Sequence, residues 1–303
     1  MKRVDVFVHE RGTLDACEYR YIRKKAGGEV MVDINSFMHG FHNKKGIWVR
    51  DYGQDTATKF SEEEQERLYA LEDISWWFRY RAEVITYISR RFLSDSSLVL
   101  DVGGGNGYTT LKMQEKGWCM FLMEPSYAAC RNAKKRGLNH IICGTLEPEN
   151  VKNNSVPQVL LLDVLEHIED DAGFLKLIRQ KLVRGGKLLI TVPAFQMLWS
   201  SEDDAAGHYR RYTVKQVIRL ADQANYHVCY AGYFFGFLVL PILLVRVGME
   251  KIGLLKRTSE RTEEENREIG RKQFQERKGL IKTLLSLLEK RELRKLMKRR
   301  KVR

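Results

Sequence analysis

Proline and cysteine are scarce in this sequence of 303 residues, and its start lacks an apolar signal core. The five prolines, with 44% hydrophobic and 30% charged residues, exclude a disordered or collagen-like chain and indicate a globular fold. The five cysteines are odd in number, scattered and without a Cys-x-x-Cys pair, which excludes a disulfide framework and a cysteine-rich zinc site. Residues 1–12 carry charges every few positions, so we expect a cytoplasmic protein rather than a secreted one.

The net charge of +13 is concentrated at one end of the chain. Residues 1–245 contain 32 basic and 30 acidic residues, whereas residues 246–303 contain 20 basic and 9 acidic residues. The excess of positive charge therefore belongs to the tail. A body that binds nucleic acid would carry such an excess itself.

Three regions follow one another along the chain. Residues 1–58 contain short β-like runs between Gly and Asn turn signals, which predict a small β-rich N-terminal appendage. Ser61 and Glu64 have the spacing of a helix capping box, and a second helix is predicted from about Glu83 to Phe92. Residues 59–245 are predicted to form the main domain, and residues 246–303 a basic amphipathic helical tail.

From residue 97 onward, short apolar strands alternate with helical segments. Strands are predicted at residues 98–102, 119–123, 159–162 and 187–192, with helices at 108–115, 127–136 and 172–183. Strands that are apolar on both faces are typical of a parallel sheet covered by helices on both sides. The sequence therefore predicts an α/β fold, with a doubly wound, Rossmann-like and mostly parallel sheet.

A glycine-rich turn follows the first of these strands. Asp101 lies at the end of the strand, and Gly103, Gly105 and Gly107 precede a helix, where backbone amides can approach a ligand. A dinucleotide fingerprint has the spacing Gly-x-Gly-x-x-Gly, but its third position is Tyr108 here. The spacing is instead Asp-x-Gly-x-Gly-x-Gly.

This turn and the segments that follow resemble the class I S-adenosylmethionine-dependent methyltransferases. The shared segments are Glu124 after the second strand, Cys143-Gly144-Thr145-Leu146, Asp163-Val164-Leu165-Glu166-His167-Ile168, and residues 183–193. The resemblance implies that S-adenosylmethionine is the cofactor and that Glu124 binds both of its ribose hydroxyls. It also implies that Thr145 and Leu146 lie on the adenine side and that Asp163 belongs to the cofactor site, with Asp101, Gly103, Gly105 and Gly107.

Two further segments resemble bacterial methyltransferases of glycan and lipid pathways. They are Trp76-Trp77-Phe78-Arg79-Tyr80-Arg81 and Gly207-His208-Tyr209-Arg210-Arg211-Tyr212. The resemblance implies a small-molecule acceptor or one linked to a lipid or glycan. One departure is that we find no closing strand where these relatives continue into their last strand. The sheet is therefore expected to lack a strand, with its edge uncovered or filled by another segment.

The predicted catalytic residues are Glu166, His167 and His208. A neutral imidazole can take a proton from an acceptor hydroxyl or ammonium near physiological pH. The alternative is structural, with His167 capping a helix start and His208 bonding a loop carbonyl.

A divalent metal site is a further hypothesis for the same segment. Asp163, Glu166, His167 and His208 resemble the ligand set of small-RNA 2′-O-methyltransferases, and two carboxylates with two imidazoles suit a divalent ion. Many metal-free relatives share the Leu-Glu-His sequence, so both possibilities stay open.

Arginines next to His208 are candidates for acceptor binding. Arg210 and Arg211, with Tyr209, could pair with a phosphate or carboxylate of the acceptor. The alternative is a salt bridge that shapes the loop, with Glu202, Asp203 or Asp204 as the partner.

The C-terminal part contains an apolar run and a basic tail. Residues 228–245 are 18 residues without a charge, for which a strand followed by a buried or interfacial helix is favoured over a membrane span. In the tail an apolar stripe precedes a basic end, with three possible uses: docking on the core, binding anionic lipid or binding nucleic acid. Aromatic residues are absent after Phe274, which disfavours nucleic acid, so lipid is preferred. The stripe comprises Leu280, Ile281, Leu284, Leu285, Leu288, Leu293, Leu296 and Met297.

The sequence thus predicts a cytoplasmic methyltransferase, peripheral at the inner membrane face. One competing hypothesis is an NAD-binding oxidoreductase, which Tyr108 in place of the third glycine disfavours. The other is a methyltransferase-like scaffold without activity, associated with membrane or nucleic acid through its tail. The intact set of Asp101, three glycines and Glu124 favours a ligand pocket that is still used.

Overall fold

The computed structural model describes residues 3–10, 23–24, 30–31, 34–50, 61–239, 252–253, 262, 265 and 280–298. The strands are β1 Arg3–Glu10, β2 Arg23–Lys24, β3 Val30–Met31, β4 Phe41–Lys44, β5 Ile47–Arg50, β6 Leu98–Val102, β7 Cys119–Glu124, β8 Ile141–Cys143, β9 Val156–Leu162, β10 Leu182–Pro193 and β11 Tyr226–Phe234. The helices are α1 Glu62–Ile74, α2 Trp76–Phe92, α3 Tyr108–Gln114, α4 Tyr127–Lys135, α5 Asp171–Lys181, α6 Ser201–Ala206, α7 Val214–Gln223 and α8 Leu280–Lys298.

The main sheet confirms the predicted α/β fold. Its nine strands have the order β11-β1-β10-β9-β6-β7-β8-β5-β4, and β10, β9, β6, β7, β8 and β5 run parallel. Side chains of α5 and α7, such as Leu175 and Val217, are buried in one hydrophobic core, and side chains of α2 and α3, such as Ile85 and Met113, in another. The strands are apolar on both faces because helices cover both faces of the sheet.

The N-terminal strand takes the place of the missing closing strand. β1 lies between β10 and β11 and pairs antiparallel with both, with Val6 opposite Ile190 and Ala231. Another segment thus supplies the missing strand, but the expectation that it would lie at the sheet edge is wrong, because β1 lies inside the sheet and β11 is the edge strand. For the described strands β1, β4 and β5, the prediction of a separate appendage over residues 1–58 is wrong, because β1 is interior and the β4–β5 hairpin extends the opposite edge beside β8.

Helix starts follow their capping residues. The capping box of Ser61 and Glu64 at α1 is confirmed. The second helix begins at Trp76 rather than at Glu83, because the Ser75 side chain accepts backbone N–H groups at its start. The sequence missed this start because the three aromatic residues that follow Ser75 obscure the helical period.

The apolar run and the tail are described in part. The predicted strand is β11, whereas residues 240–245 lie outside the described residues, as do most of 246–279 and 299–303. Within the described ranges, no helix is both long enough and apolar enough to cross a bilayer. Leu293 and Leu296 of α8 pack against the core formed with α2, so part of the apolar stripe docks on the chain itself. The side chains of Leu280, Ile281 and Met297 lie outside the described ones.

Candidate active site

The glycine turn between β6 and α3 contains two glycines that pack closely against neighbouring side chains and one that faces open space. Gly103, Gly105 and Gly107 have φ angles of +72°, +56° and +78°, a region that favours glycine. A Cβ atom would lie 2.5 Å from a Val164 methyl at Gly103 and 2.5 Å from a Leu138 methyl at Gly107. At Gly105 such an atom would meet nothing within 4 Å, so this glycine leaves room for a ligand.

Two buried carboxylates flank the turn. Glu124, at the end of β7, accepts hydrogen bonds from the backbone N–H of Gly105 at 3.0 Å and of Ser126 at 2.9 Å. Burial raises the pKa of Glu124 to about 7. Asp101, at the end of β6, accepts a hydrogen bond from the Thr110 hydroxyl at 2.5 Å, and burial raises its pKa to about 6. Its Oδ1 atom is buried without a hydrogen bond from any described residue.

The predicted adenine-side residues follow β8. Leu146 is buried at 6% exposure, and the Thr145 hydroxyl donates to Glu147 at 2.8 Å. The Asn150 amide donates to the Thr145 carbonyl at 2.6 Å and fixes the backbone of this turn. The backbone N–H of Gly144 donates to the carbonyl of Glu124. The turn therefore lies next to the carboxylate that is predicted to bind the ribose hydroxyls.

Asp163 is held by two arginines that the sequence did not single out as site residues. Arg3 of β1 donates to Oδ1 at 2.6 Å, and Arg81 of α2 donates to Oδ2 from Nε at 3.0 Å. Burial opposes ionisation, but Arg3 and Arg81 hold the pKa of Asp163 below its ordinary value. Arg81 also donates to the Thr109 hydroxyl at 3.0 Å, which links Asp163 to the helix after the glycine turn.

Glu166, His167 and His208 come together as predicted. One ligand-type atom of each lies within 4.8 Å of the others, and the two imidazole centroids are 4.7 Å apart. Glu166 is fully buried, and neither of its carboxyl oxygens accepts a hydrogen bond from another described side chain or backbone group. The pKa of Glu166 is raised to about 8, mainly by burial and to a smaller extent by the negative charge of the neighbouring Asp163.

A buried ion pair orients His208. The Nδ1 atom of His208 lies 2.8 Å from Oδ1 of Asp203, and Arg211 donates to both oxygens of Asp203 at 2.8 and 2.7 Å. Burial alone would raise the pKa of Asp203, but the hydrogen bonds from His208 and Arg211 lower it. The sequence indicates Asp203 only as a possible loop partner, although its position three residues after Ser200 is a capping-box signal.

The two arginines predicted to bind the acceptor have partners within the protein. Arg211 is buried against Asp203, which corresponds to the alternative of a salt bridge that shapes the loop. Arg210 donates to the Asp171 carboxylate and to the Glu169 carbonyl, both at 2.9 Å. Acceptor binding by Arg211 therefore loses its physical basis, because its fork is occupied. The Tyr209 side chain is 49% exposed and stays a predicted acceptor contact.

The four-residue metal set does not assemble as a unit. Among the described residues, the potential ligand cluster contains Glu166, His167 and His208 but not Asp163, whose oxygens face the two arginines. The Arg3 guanidinium lies 3.6 Å from Oε1 of Glu166, and a second positive charge at that oxygen is electrostatically unfavourable. The residues present therefore fit a divalent ion poorly.

Trp77 of the aromatic-arginine segment lies beneath the two arginines. The guanidinium of Arg3 is 5.5 Å and that of Arg81 is 5.9 Å from the ring centroid. The Phe235 ring stacks on Trp77 at 5.6 Å with an interplanar angle of 4°. Trp77 and Arg81 of residues 76–81 thus support the group that holds Asp163, a role that the segment alone could not reveal.

One family of known proteins matches this sequence. The sequence profile of one family, described as Methyltransferase domain, matches residues 69–231. Among curated proteins, none matches the sequence significantly.

Solved structures are similar in fold at low sequence identity. A chain of the complex between the Haloferax volcanii Trm112 methyltransferase activator and a candidate methyltransferase has 16% identity and a TM-score of 0.44, over 54% of this chain and 73% of that one. Phosphoethanolamine N-methyltransferase 2 of Haemonchus contortus has 17% identity and a TM-score of 0.45, over 55% of this chain and 43% of that one. The YcgJ protein of Bacillus subtilis has 16% identity and a TM-score of 0.40, over 46% and 66%. Similarities this low carry no substrate or partner to the present chain.

The family profile decides the assignment, because it covers more than half of the chain. It begins within α1 and ends within β11, so it includes the glycine turn, Glu124 and the segment with His167 and His208. The chain therefore belongs to the Methyltransferase domain family, and the predicted class I, S-adenosylmethionine-dependent methyltransferase is confirmed.

Proposed function

We propose that this enzyme transfers a methyl group to an oxygen or nitrogen atom of a small-molecule, lipid-linked or glycan-linked acceptor in the cytoplasm. The observation that carries the proposal is the contact between His208 and Asp203, 2.8 Å long, at the carboxyl ends of the strands. Ligands of open α/β sheets bind at these strand ends. An imidazole held there by a carboxylate is suited to remove a proton from an acceptor.

Donor binding is supported by the glycine turn and its carboxylates. Open space at Gly105 admits a ligand close to the backbone. The Glu124 carboxylate retains lone pairs that can accept hydrogen bonds from the ribose hydroxyls. When bound, S-adenosylmethionine supplies a methyl carbon activated by its sulfonium. Asp101 adds a buried acceptor, Oδ1, beside the turn.

His208 is the proposed base. With its Nδ1–H donated to Asp203, the imidazole keeps Nε2 as a proton acceptor. The proton released by the acceptor hydroxyl or ammonium moves to Nε2, and the Asp203 carboxylate stabilises the resulting imidazolium. His167, whose ring is 4.7 Å away, is the second proposed catalytic residue.

Glu166 and Tyr209 are the proposed acceptor-side residues next to these histidines. The backbone N–H of Tyr209 donates to the carbonyl of Glu166 at 2.8 Å, which fixes the loop that carries His208 against the segment that carries His167. Positioning the acceptor against the methyl donor is the main task in a direct displacement.

The test uses purified enzyme, donor with an isotope-labelled methyl group, and separate metabolite, lipid and glycan extracts. Mass spectrometry should find the label on an oxygen or nitrogen of one extract component. S-adenosylhomocysteine should raise the unfolding temperature, while NAD should not. Label on carbon alone would contradict the proposed transfer to oxygen or nitrogen, and binding of the nucleoside without transfer to any extract would favour the inactive scaffold.

A further inference from the structure

The C-terminal helix α8 has one face that docks on the protein. Glu289 and Leu296 are buried, and Leu293 packs on the core with α2. The Glu292 carboxylate accepts the backbone N–H groups of Phe235 at 2.8 Å and Gly236 at 2.7 Å. These contacts fix which face of α8 is turned outward.

The outward face is positively charged. Lys290, Arg291, Arg294 and Lys295 are exposed, one helical turn after another. The two acidic residues of the helix, Glu289 and Glu292, belong to the docked face, where Glu289 is buried and Glu292 binds backbone amides. The exposed basic residues of this stretch therefore have no acidic residue of α8 beside them on the outward face.

Two exposed leucines precede these basic residues. Leu284 is 58% and Leu287 is 60% exposed, and the spacing of three residues places them on the same side of the helix. Large apolar side chains exposed next to one another mark an interaction surface more often than isolated ones do.

We propose that this outward face of α8 binds an anionic lipid bilayer, with Leu284 and Leu287 inserted among the acyl chains and the four basic residues at the headgroups. A helix that lies in the interface combines apolar insertion with attraction to anionic lipid. Nucleic acid would use the charges but not the leucines, and the tail has no aromatic residue after Phe274 for base stacking. The inference is independent of the proposed acceptor.

The proposed membrane-binding helix is linked to the candidate active site through α2. α8 contacts α2 through Tyr80, whose hydroxyl donates to Glu292 at 2.9 Å, and the next residue, Arg81, holds Asp163. The lipid-facing helix and the candidate active site thus share one supporting helix.

The experiment is co-sedimentation of the full chain with vesicles of phosphatidylcholine alone or mixed with phosphatidylglycerol. Wild-type protein should bind only the mixed vesicles, and high salt should weaken but not abolish binding. The test variant replaces the four basic residues of the outward face, Lys290, Arg291, Arg294 and Lys295, with Gln. Its binding constant should fall at least about 30-fold, which is the loss expected if only two of these charges are fully engaged with the headgroups. The matched control changes four exposed basic residues elsewhere, Lys116, Lys176, Lys215 and Arg219, to Gln.

A second variant tests insertion. Leu284→Gln with Leu287→Gln should remove the binding that persists at high salt, while S-adenosylhomocysteine still stabilises the protein. The inference is overturned if wild-type protein ignores the mixed vesicles, or if the control variant loses binding as much as the α8 variant. It is also overturned if duplex DNA displaces the protein from vesicles and binds the leucine variant as tightly as wild type.

Discussion

The Nδ1 atom of His208 lies 2.8 Å from Oδ1 of Asp203, and the same carboxylate is held by both donor groups of the Arg211 fork. Because Asp203 is fully buried, the imidazole orientation is set by the protein before any acceptor binds. This fixed orientation supports the proposed role of His208 as a base.

His208→Ala should lower turnover about 100-fold to 10,000-fold, the usual contribution of a positioned base. S-adenosylhomocysteine affinity should change little, because His208 lies outside the glycine turn. Labelled methyl transfer and calorimetric titration measure the two effects. The control is His227→Ala, at an exposed position of β11. Equal loss of rate in both variants would contradict the assignment.

Cofactor affinity should depend on pH through Glu124. Burial raises the pKa of this carboxyl to about 7, so the unliganded protein takes up a proton there as the pH falls below that value. If ribose hydroxyls bind the carboxylate, S-adenosylhomocysteine affinity should fall by up to tenfold per pH unit below 7. Glu124→Gln should bind more weakly at pH 8, by roughly 1 to 3 kcal/mol, with a flatter pH profile. An unchanged slope in this variant would place the titrating group elsewhere.

Two glycines of the same turn should respond differently to alanine. Both have positive φ, which costs about 1 kcal/mol for any L side chain. Gly103→Ala also places a Cβ 2.5 Å from Val164 and should lower the unfolding temperature more than Gly105→Ala does. Gly105→Ala should instead show the larger loss of S-adenosylhomocysteine binding relative to its loss of stability. Thermal unfolding with and without ligand distinguishes the two, and the reverse order would show that Gly105 does not face the ligand.

Phe7→Ala should destabilise the whole enzyme. Phe7 is 1% exposed and stacks on Phe92 with ring centroids 4.5 Å apart, so its truncation should cost about 3 to 5 kcal/mol. The unfolding transition measured by denaturant should shift as one unit together with loss of cofactor binding. His39→Ala, an exposed position of the N-terminal region, is the control. A separate unfolding transition for the N-terminal region would instead support the hypothesis that this region is an independent appendage.

Removing the Glu292 carboxylate should loosen the junction of α8 with β11. Glu292→Ala leaves two backbone N–H groups and the Tyr80 hydroxyl without this acceptor, at a cost of about 1 to 3 kcal/mol. Glu292→Gln keeps one acceptor oxygen and should cost less. Thermal unfolding measures both, with the exposed Glu169→Ala as control. No difference between the Ala variant and the control would mean that α8 adds nothing to stability there.

Local patterns predicted the parts of the site that lie next to one another in sequence. The glycine turn, the acid after β7 and the segment 163–168 each combine a strand end with polar residues, so a few positions were enough to recognise them. The roles of Arg3 and Arg81 could not be predicted in this way. Arg3 meets Asp163 across 160 residues of sequence, and only the pairing of β1 with β10 brings them together.

The charge pattern of the tail was predictable, but the division of its apolar stripe was not. A helical period places Leu293 and Leu296 near the other leucines, and composition does not reveal which of them meets the core. The docked face also carries Glu292, which looks like an ordinary surface acid in the sequence but accepts two backbone N–H groups just after β11.

The position of β1 also determines the order in which the sheet can be completed during synthesis. Arg3 is opposite Pro193 and Phe234, so β1, which is synthesised well before β10 and β11, waits for two partners that are made much later. Such distant pairing slows folding, and the waiting strand exposes Val4, Val6 and Phe7, which are buried in the native sheet. During synthesis β1 should therefore need protection, by a chaperone or by the exit tunnel's surroundings, until residue 234 has emerged.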